Sequence, residues 1–193
     1  NCHYYVCDFS KLENITATFE EISKKHQPID ILVNNAGIYL ENSATHQTSQ
    51  GKVEFDPEKI YKLINVNLLS YWCWGLLIAE GMKEKNGGVI INVSSVNGIF
   101  GKGVSDIYDL TKAAINNLTL NQALQLSKYN IRVNAICPSS TATPMRDKAM
   151  AEKNKKEREE YDAWEASLIP LKKLGGAEDI ANGALFLASE IGG

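Results

Sequence analysis

Short apolar runs alternate along the chain with longer stretches in which apolar residues recur every three or four positions. Residues 3–6 alternate and end at Cys7-Asp8, which predicts a strand. Over residues 11–26, Ile15, Phe19 and Ile22 share one helical face; Ser10 and Glu13 form a capping box, and Pro28 stops the helix. Residues 29–33 form a second apolar run that leads into Asn34-Asn35-Ala36-Gly37. Residues 39–54 are polar and irregular and read as a loop. Asp56 caps a helix with Pro57 in its first turn. Its face of Ile60, Leu63, Ile64, Asn67 and Leu68 continues to residue 85, where Asn86-Gly87-Gly88 breaks it. Gly88–Val93 is a β-branched run bounded by glycines and serines, hence a buried strand. Residues 106–128 read as a helix with Tyr108, Lys112, Ile115, Leu118, Leu120, Ala123 and Leu124 as its periodic positions. Asn130 turns the chain into a strand at Ile131–Ile136. A turn-rich loop follows at 137–144, then a strongly charged, solvated helical stretch at 145–167, and a last amphipathic helix at 177–189.

The order β-α-β-α-β-α-β-(α)-α, with strands that read as buried on both faces, implies an α/β fold: a doubly wound parallel sheet between two layers of helices. The 193 residues suit a single domain, and no repeat or linker divides them. The sheet is short of strands for its type. Asn1 is not an initiating methionine and Gly193 follows a helix with no closing strand, so the domain is expected to be incomplete, an internal portion of a longer protein.

Composition narrows the function classes. Hydrophobic residues make up 44% and charged residues 22%, an ordinary globular balance. Net charge is −3, and no Lys/Arg cluster dominates a folded element, so a nucleic-acid partner has no electrostatic support. The longest apolar run, residues 68–79, is too short for a bilayer, which needs about 20, and no signal peptide is visible. No membrane partner is expected, and a cytoplasmic location is. Cys2, Cys7, Cys73 and Cys137 are scattered without metal-ligand spacing. They read as buried, reduced thiols of an intracellular protein, and no metal site is expected. His46 has no triad or metal partner at visible spacing.

The candidate chemistry lies between Ile90 and Lys112. Ser95 follows the strand Gly88–Val93, at the carboxyl end where open parallel sheets place their sites. Tyr108 and Lys112, four positions apart, share one helical face. A phenol titrates near 10 and is a poor base at neutral pH. A neighbouring lysine cation favours the phenolate and lowers that value, bringing the tyrosine toward the range useful for proton transfer. A serine hydroxyl beside it can hydrogen-bond an alcohol or carbonyl oxygen. This set suits proton transfer to a substrate oxygen while a hydride moves at the adjoining carbon, and the hydride requires a cofactor.

These residues, taken with the rest of the chain, resemble the short-chain dehydrogenase/reductase family in its Rossmann-type single-domain form, a three-layer αβα sandwich. Asp8 is similar to the family's acidic residue that contacts the adenine ring. Asn34-Asn35-Ala36-Gly37 resembles its Asn-Asn-Ala-Gly turn, which stabilises the central sheet and passes under the cofactor ribose. Asn67 resembles the helix asparagine that holds a water near the catalytic lysine, and Ser95, Tyr108 and Lys112 resemble the catalytic serine, tyrosine and lysine. Asn134 and Pro138 resemble the Asn-x-x-x-Pro after the next strand, and Thr143 the threonine beyond it. Residues 174–181 resemble the connector to the last helix. The resemblance implies NAD or NADP as cofactor, bound through Asp8, Asn35, Ala36, Gly37, Tyr108, Lys112, Pro138, Thr141 and Thr143. Two departures stand out: Ser139 replaces the glycine that usually follows the proline, and the family's Thr-Gly-x-x-x-Gly-x-Gly phosphate turn, which lies upstream of the Asp8 strand, does not occur in the chain.

By this resemblance Tyr108 is the general acid/base, and Lys112 lowers its pKa and bonds the nicotinamide ribose. Ser95 positions and polarises the substrate, and Asn67 supports a proton path to solvent. Each also has a structural reading. Asn67 can serve as a helix-interior amide bonded to backbone, Ser95 as a capping serine confusable with Ser94, and Asn92 as a buried amide of either role. Tyr39, Trp72, Trp74 and Trp164 read as core or interface aromatics. Residues 143–168 are expected to form a substrate lid, with Met145, Trp164 and Leu168 facing the pocket. Oligomerisation through helices 57–85 and 106–128, as homodimer or homotetramer, is implied. The function expected is hydride transfer between NAD(P)(H) and a small alcohol or carbonyl substrate. The alternative is a non-catalytic relative acting by association. Steroid, sugar, polyol and acyl-carrier substrates all use this scaffold, and fold does not choose among them.

Overall fold

The computed structural model of the chain describes residues 2–26, 28–40, 45–47, 53–100 and 107–192. In order, the elements are α1 (Leu12–Lys25), β1 (Ile31–Asn34), β2 (Thr45–Gln47), β3 (Val53–Phe55), α2 (Pro57–Ile64), a π-helical turn (Asn65–Leu69), α3 (Ser70–Glu84), β4 (Gly88–Val93), α4 (Ile107–Leu126), β5 (Ile131–Ile136), β6 (Thr141–Ala142), α5 (Pro144–Ala149), α6 (Lys155–Leu168), β7 (Gly175–Gly176) and α7 (Ala177–Ala188). The central sheet is parallel, ordered β1-β4-β5, with Leu32 beside Ile90 and Ile90 beside Val133. Strand alternation divides its side chains between two faces. Ile90, Ile131 and Val133 pack with Trp74, Ile78, Met82 and Ile15 beneath α1 and α3. On the opposite face Arg132 donates to the Leu187, Ser189 and Gly192 carbonyls at the end of α7. The doubly wound, three-layer αβα arrangement therefore holds, with a small sheet. Each fully buried aliphatic here contributes about 1.5–3 kcal/mol.

Several boundaries follow from local chemistry. The Asp56 carboxylate accepts the Lys59 N–H at 3.1 Å, capping α2 with Pro57 at its start. Asn130 takes the left-handed conformation (φ 56°) between α4 and β5, and Asn86 does so (φ 53°) ahead of β4. The helical stretch Pro57–Glu84 is long and apolar enough to cross a membrane by length and composition. Here its Tyr71, Ile78 and Met82 are buried against the sheet, which makes it a core helix. Under it lies a chain of buried amides. Asn34 donates to Asn92 at 2.9 Å, and Asn92 donates to Thr119 and Gln122 at 3.0 and 3.1 Å. This settles Asn92 as structural: its amide ties β1 to β4 and β4 to α4, and a half-satisfied amide here would be costly.

The structure corrects several sequence expectations. Residues 3–6 are extended but belong to no strand; Tyr4 and Val6 are 90% and 93% exposed. Alternation specifies a face, but a strand also needs a neighbouring backbone to pair with. Among the described residues the outer edge of β1 is open and no element supplies one. Ser10 does not cap α1: the Asp8 carboxylate accepts both its N–H (3.0 Å) and its hydroxyl (2.7 Å), and the helix starts after Lys11 without a side-chain cap. Part of the 39–54 loop is an antiparallel pair, β2 with β3, with His46 opposite Glu54. Asp106, the expected start of α4, lies outside the described residues. The buried face of α4 carries Thr111, Lys112, Ile115, Thr119, Gln122 and Leu126. Of the periodic positions, Leu120 and Leu124 are exposed, because they fall on the far side of that stripe. The charged stretch 145–167 is two helices, and α6 begins with a capping box between Asn154 and Glu157. The four cysteines are free but not buried: Cys2 is exposed and the other three are partly covered.

Candidate active site

Because the strands are parallel, the carboxyl ends of β1, β4 and β5 lie along one edge of the sheet. From that edge run the turn 35–38, Ser94-Ser95 and the loop 137–143. Backbone bonds stitch the last two together: the Ser94 N–H donates to the Ile136 carbonyl at 2.7 Å and the Val96 N–H to the Pro138 carbonyl at 3.0 Å. The loop after Ser95 also lies directly on α4. A Cβ at Gly98 would come within 2.6 Å of the Lys112 carbonyl carbon, so only glycine permits this approach. Asn116 donates to the Gly98 carbonyl at 3.1 Å.

Lys112 reaches back from α4 to the end of β4. It is only 4% exposed and donates to the Val93 carbonyl at 2.9 Å. Its ammonium lies 5.6 Å from the ring centroids of both Tyr108 and Tyr71. Burial pushes its pKa down from 10.5 to about 8, with Cys137 pulling weakly the other way. The two flanking tyrosines are not equivalent. Tyr71 donates to the same Val93 carbonyl at 3.1 Å, and burial, aided by Tyr108, drives its pKa far above the ordinary phenol range. Tyr71 is therefore a neutral donor to the backbone, and Tyr108 is the other phenol beside the ammonium.

The two serines make different bonds. Ser94 is buried and donates to the Lys112 carbonyl at 2.8 Å, a bond that pins β4 to α4. Ser95 accepts the Asn97 N–H at 3.2 Å, capping a short helical turn at Val96–Gly98, and among the described residues its own proton is given to no acceptor. Asn67 is fully buried in the π-helical turn, a feature frequent at functional sites. Its amide clasps both sides of one residue, accepting the Ile38 N–H at 2.8 Å and donating to the Ile38 carbonyl at 2.9 Å. It thereby fixes the turn 35–38. A Cβ on Gly37 would lie 3.6 Å from Asn67 Oδ1 and 3.8 Å from Lys112 Nζ.

Ser95, Tyr108, Lys112, Asn67 and Gly37 thus share one neighbourhood. Tyr39 joins them: its ring stands edge-on to Tyr108 with centroids 5.4 Å apart. It was expected to be a core or interface aromatic, and no spacing rule linked it to residue 108. Asn35 and Ala36 are exposed and line, with Phe9, Leu32 and Trp74, a cavity of about 260 Å³ along the open edge of β1. The Trp74 indole N–H is buried there without a partner among the described residues. Asp8 adjoins Phe9; its carboxyl is held below the usual range, chiefly by Ser10. Thr141 and Thr143 differ: Thr141 donates to the Ser139 carbonyl at 2.8 Å, whereas Thr143 precedes α5 with no side-chain cap bond. Ser139 has no positive φ, so the missing glycine costs no strain. Trp72, Met145, Trp164 and Leu168 are exposed, and Trp74 is core.

The family model for short chain dehydrogenases matches residues 1–154. The chain belongs to the short-chain dehydrogenase/reductase family. A 3alpha-hydroxysteroid dehydrogenase of Mediterraneibacter gnavus is 36% identical over 177 residues, covering 92% of this chain and 64% of the relative. A 3-oxoacyl-[acyl-carrier-protein] reductase of Thermotoga maritima is 34% identical over 186 residues, covering 96% and 69%. The solved structure of ElxO with NADP bound superposes with a TM-score of 0.81 at 30% identity, covering 97% of this chain and 71% of that one. The chain spans about two thirds of the length of these family members.

Short-chain dehydrogenases use nicotinamide cofactors, and the residues present fit the ribose–nicotinamide half of one. An ammonium has three N–H donors, and among the described residues Lys112 gives one of them to an acceptor, Val93. Ribose hydroxyls are suitable acceptors for the others. The Gly-rich turn that holds the pyrophosphate in the family is not among residues 1–193.

Proposed function

We propose that the chain is the catalytic portion of an NAD(P)-dependent oxidoreductase that interconverts an alcohol and a carbonyl compound. When bound, the nicotinamide supplies or accepts the hydride. The chain's own residues manage the substrate oxygen. Ser95 donates a hydrogen bond to it, and Tyr108 takes the alcohol proton during oxidation or returns it during reduction. Lys112 keeps positive charge beside the tyrosine, which favours phenolate. Asn67 and Gly37 hold the turn that would lie against the ribose. The observation that carries this reading is the buried Lys112 ammonium beside Tyr108 at the carboxyl end of β4. The names of the hydroxysteroid dehydrogenase and the oxoacyl reductase support it.

The test is a substrate panel for the complete protein with NAD and with NADP: a 3α-hydroxysteroid, a polyol, a sugar acid and a 3-oxoacyl thioester. Turnover of at least one, followed by nicotinamide absorbance, is expected. Silence across the panel with both cofactors, from protein that binds them, would count against the reading and favour a role by association.

Subunit pairing belongs to the same proposal. Trp72 and Leu76 lie one turn apart on the outer face of α3, and Leu120 and Leu124 do so on α4; all four are exposed. Covering them in a homodimer or homotetramer removes apolar surface from water. Light scattering on the complete protein is expected to give a dimeric or tetrameric mass, and a monomer alone would refute it.

A further inference from the structure

The α5–α6 segment has a fastening that the fold alone does not require. No residue of α6 is buried, and none belongs to the hydrophobic core. Yet α6 carries an ion pair whose side chains are only 17% and 16% exposed, Arg146 with Glu165. Arg146 donates from Nε at 3.0 Å and from Nη2 at 2.8 Å to one Glu165 oxygen, and it also bonds Asp162. Its guanidinium lies 5.8 Å from the Tyr161 ring centroid. The other Glu165 oxygen accepts the Ser140 hydroxyl at 2.9 Å. Ser140 sits in the middle of the loop 138–143. That loop is held at Pro138 by the Val96 N–H, one residue from Ser95, and at Thr141-Ala142 by pairing with β7. One carboxylate therefore joins the outlying helix to the loop beside the site.

We propose that Glu165 is a positioning residue: its carboxylate, oriented by Arg146, fastens the α5–α6 segment to Ser140 and so sets the loop 138–143 against the Ser95–Tyr108–Lys112 site. This rests on the hydride-transfer reading above. The fastening keeps the segment in place over bound substrate and does not shape the reacting groups. Its loss therefore acts on how substrate is held, while the titration of the tyrosine and lysine stays as it was. A charge-assisted pair with two hydrogen bonds from one guanidinium gives directional hold that a lysine point charge reproduces only in part.

The experiment compares Glu165→Ala, Ser140→Ala and Arg146→Lys in the complete enzyme, with the panel alcohol of fastest turnover. Glu165→Ala is expected to lower kcat/KM about a hundredfold, mainly through KM, as for a misplaced substrate. Its pH profile and thermal midpoint should stay close to wild type. Ser140→Ala cuts the loop arm alone and should raise KM about tenfold, the scale of one hydrogen bond to a charged group; Arg146→Lys keeps the charge but loses the fork, so its KM should fall between wild type and Glu165→Ala. A second readout needs no substrate. Trypsin should cut Glu165→Ala faster than wild type at Lys153, Lys155, Lys156 or Arg158, while Ser140→Ala digests at the wild-type rate. A Glu165→Ala enzyme with unchanged KM and unchanged digestion overturns the proposal, as does a fall in thermal midpoint with no change in KM. If instead Tyr108→Phe stays active, the reaction assignment fails and the digestion result still judges the fastening.

Discussion

Replacing Tyr108 with phenylalanine in the complete enzyme is expected to lower kcat by ~10²–10⁴-fold while NAD(P)H affinity stays close to wild type. The substitution removes one hydroxyl from the site and leaves the ring beside Lys112 and Tyr39, so the packing of α4 persists. Steady-state rates give the first quantity and fluorescence titration of the reduced cofactor the second. The result separates three phenols that meet here. Tyr71 is held neutral by burial and donates to Val93, so it does not stand in as base. Tyr39 lies edge-on to Tyr108, and Tyr39→Phe is the natural companion variant. If Tyr108→Phe keeps wild-type turnover and Tyr39→Phe does not, the acid/base is Tyr39, and the four-residue spacing of Tyr108 and Lys112 has misled. If both lose turnover, Tyr39 acts on the orientation of Tyr108.

That spacing was readable because a helix makes i and i+4 neighbours whatever surrounds it. The same holds for Asp56-Pro57, for Asn130, and for the carboxyl-end position of Ser95. All are rules of a few residues, and the structure keeps each of them. Contacts between distant segments were not legible. Nothing local says that Asn67 clasps Ile38, that Asn92 links Asn34 to Gln122, or that Tyr39 meets Tyr108. The strand expected at residues 3–6 failed for a related reason: its pattern is sound, but a strand is a relation between two backbones. The exposure of Leu120 and Leu124 was not legible because an exposed apolar stripe and a buried one share the same period. The capping box at Asn154 and Glu157 was present in the sequence and masked by the surrounding charge. Family resemblance filled part of this gap by supplying the relation between Ser95, Tyr108 and Lys112 that spacing alone left weak.

Lys112→Met is expected to remove turnover, by two orders of magnitude or more, and to make the cofactor-free protein more stable at neutral pH. The two effects have one cause. The folded chain holds a 4% exposed ammonium whose pKa is lowered from 10.5 to about 8 by burial. Below pH 8 the lysine is charged in both folded and unfolded chains, and the folded state carries the full penalty, about 3 kcal/mol from the size of the shift. Between about 8 and 10.5 the unfolded chain binds more protons than the folded one, so wild-type stability rises with pH across that window. Above it both forms are neutral and the penalty is gone. Methionine matches the length of the lysine stem and brings no charge, but it leaves the Val93 carbonyl with one donor fewer, a loss of about 1 kcal/mol. A net gain of about 1–2 kcal/mol at pH 7 follows, with a rise in Tm of a few degrees. Denaturant titrations of wild type and variant at pH 7 and at pH 9.5 test it. The variant should be the more stable at pH 7, and the gap should narrow at the higher pH. A variant less stable at pH 7, or one that keeps the wild-type rise with pH, would show that the penalty does not reside in Lys112. If the expected pattern holds, the charge beside Tyr108 is kept at the expense of stability, which is how a residue retained for chemistry differs from one retained for packing.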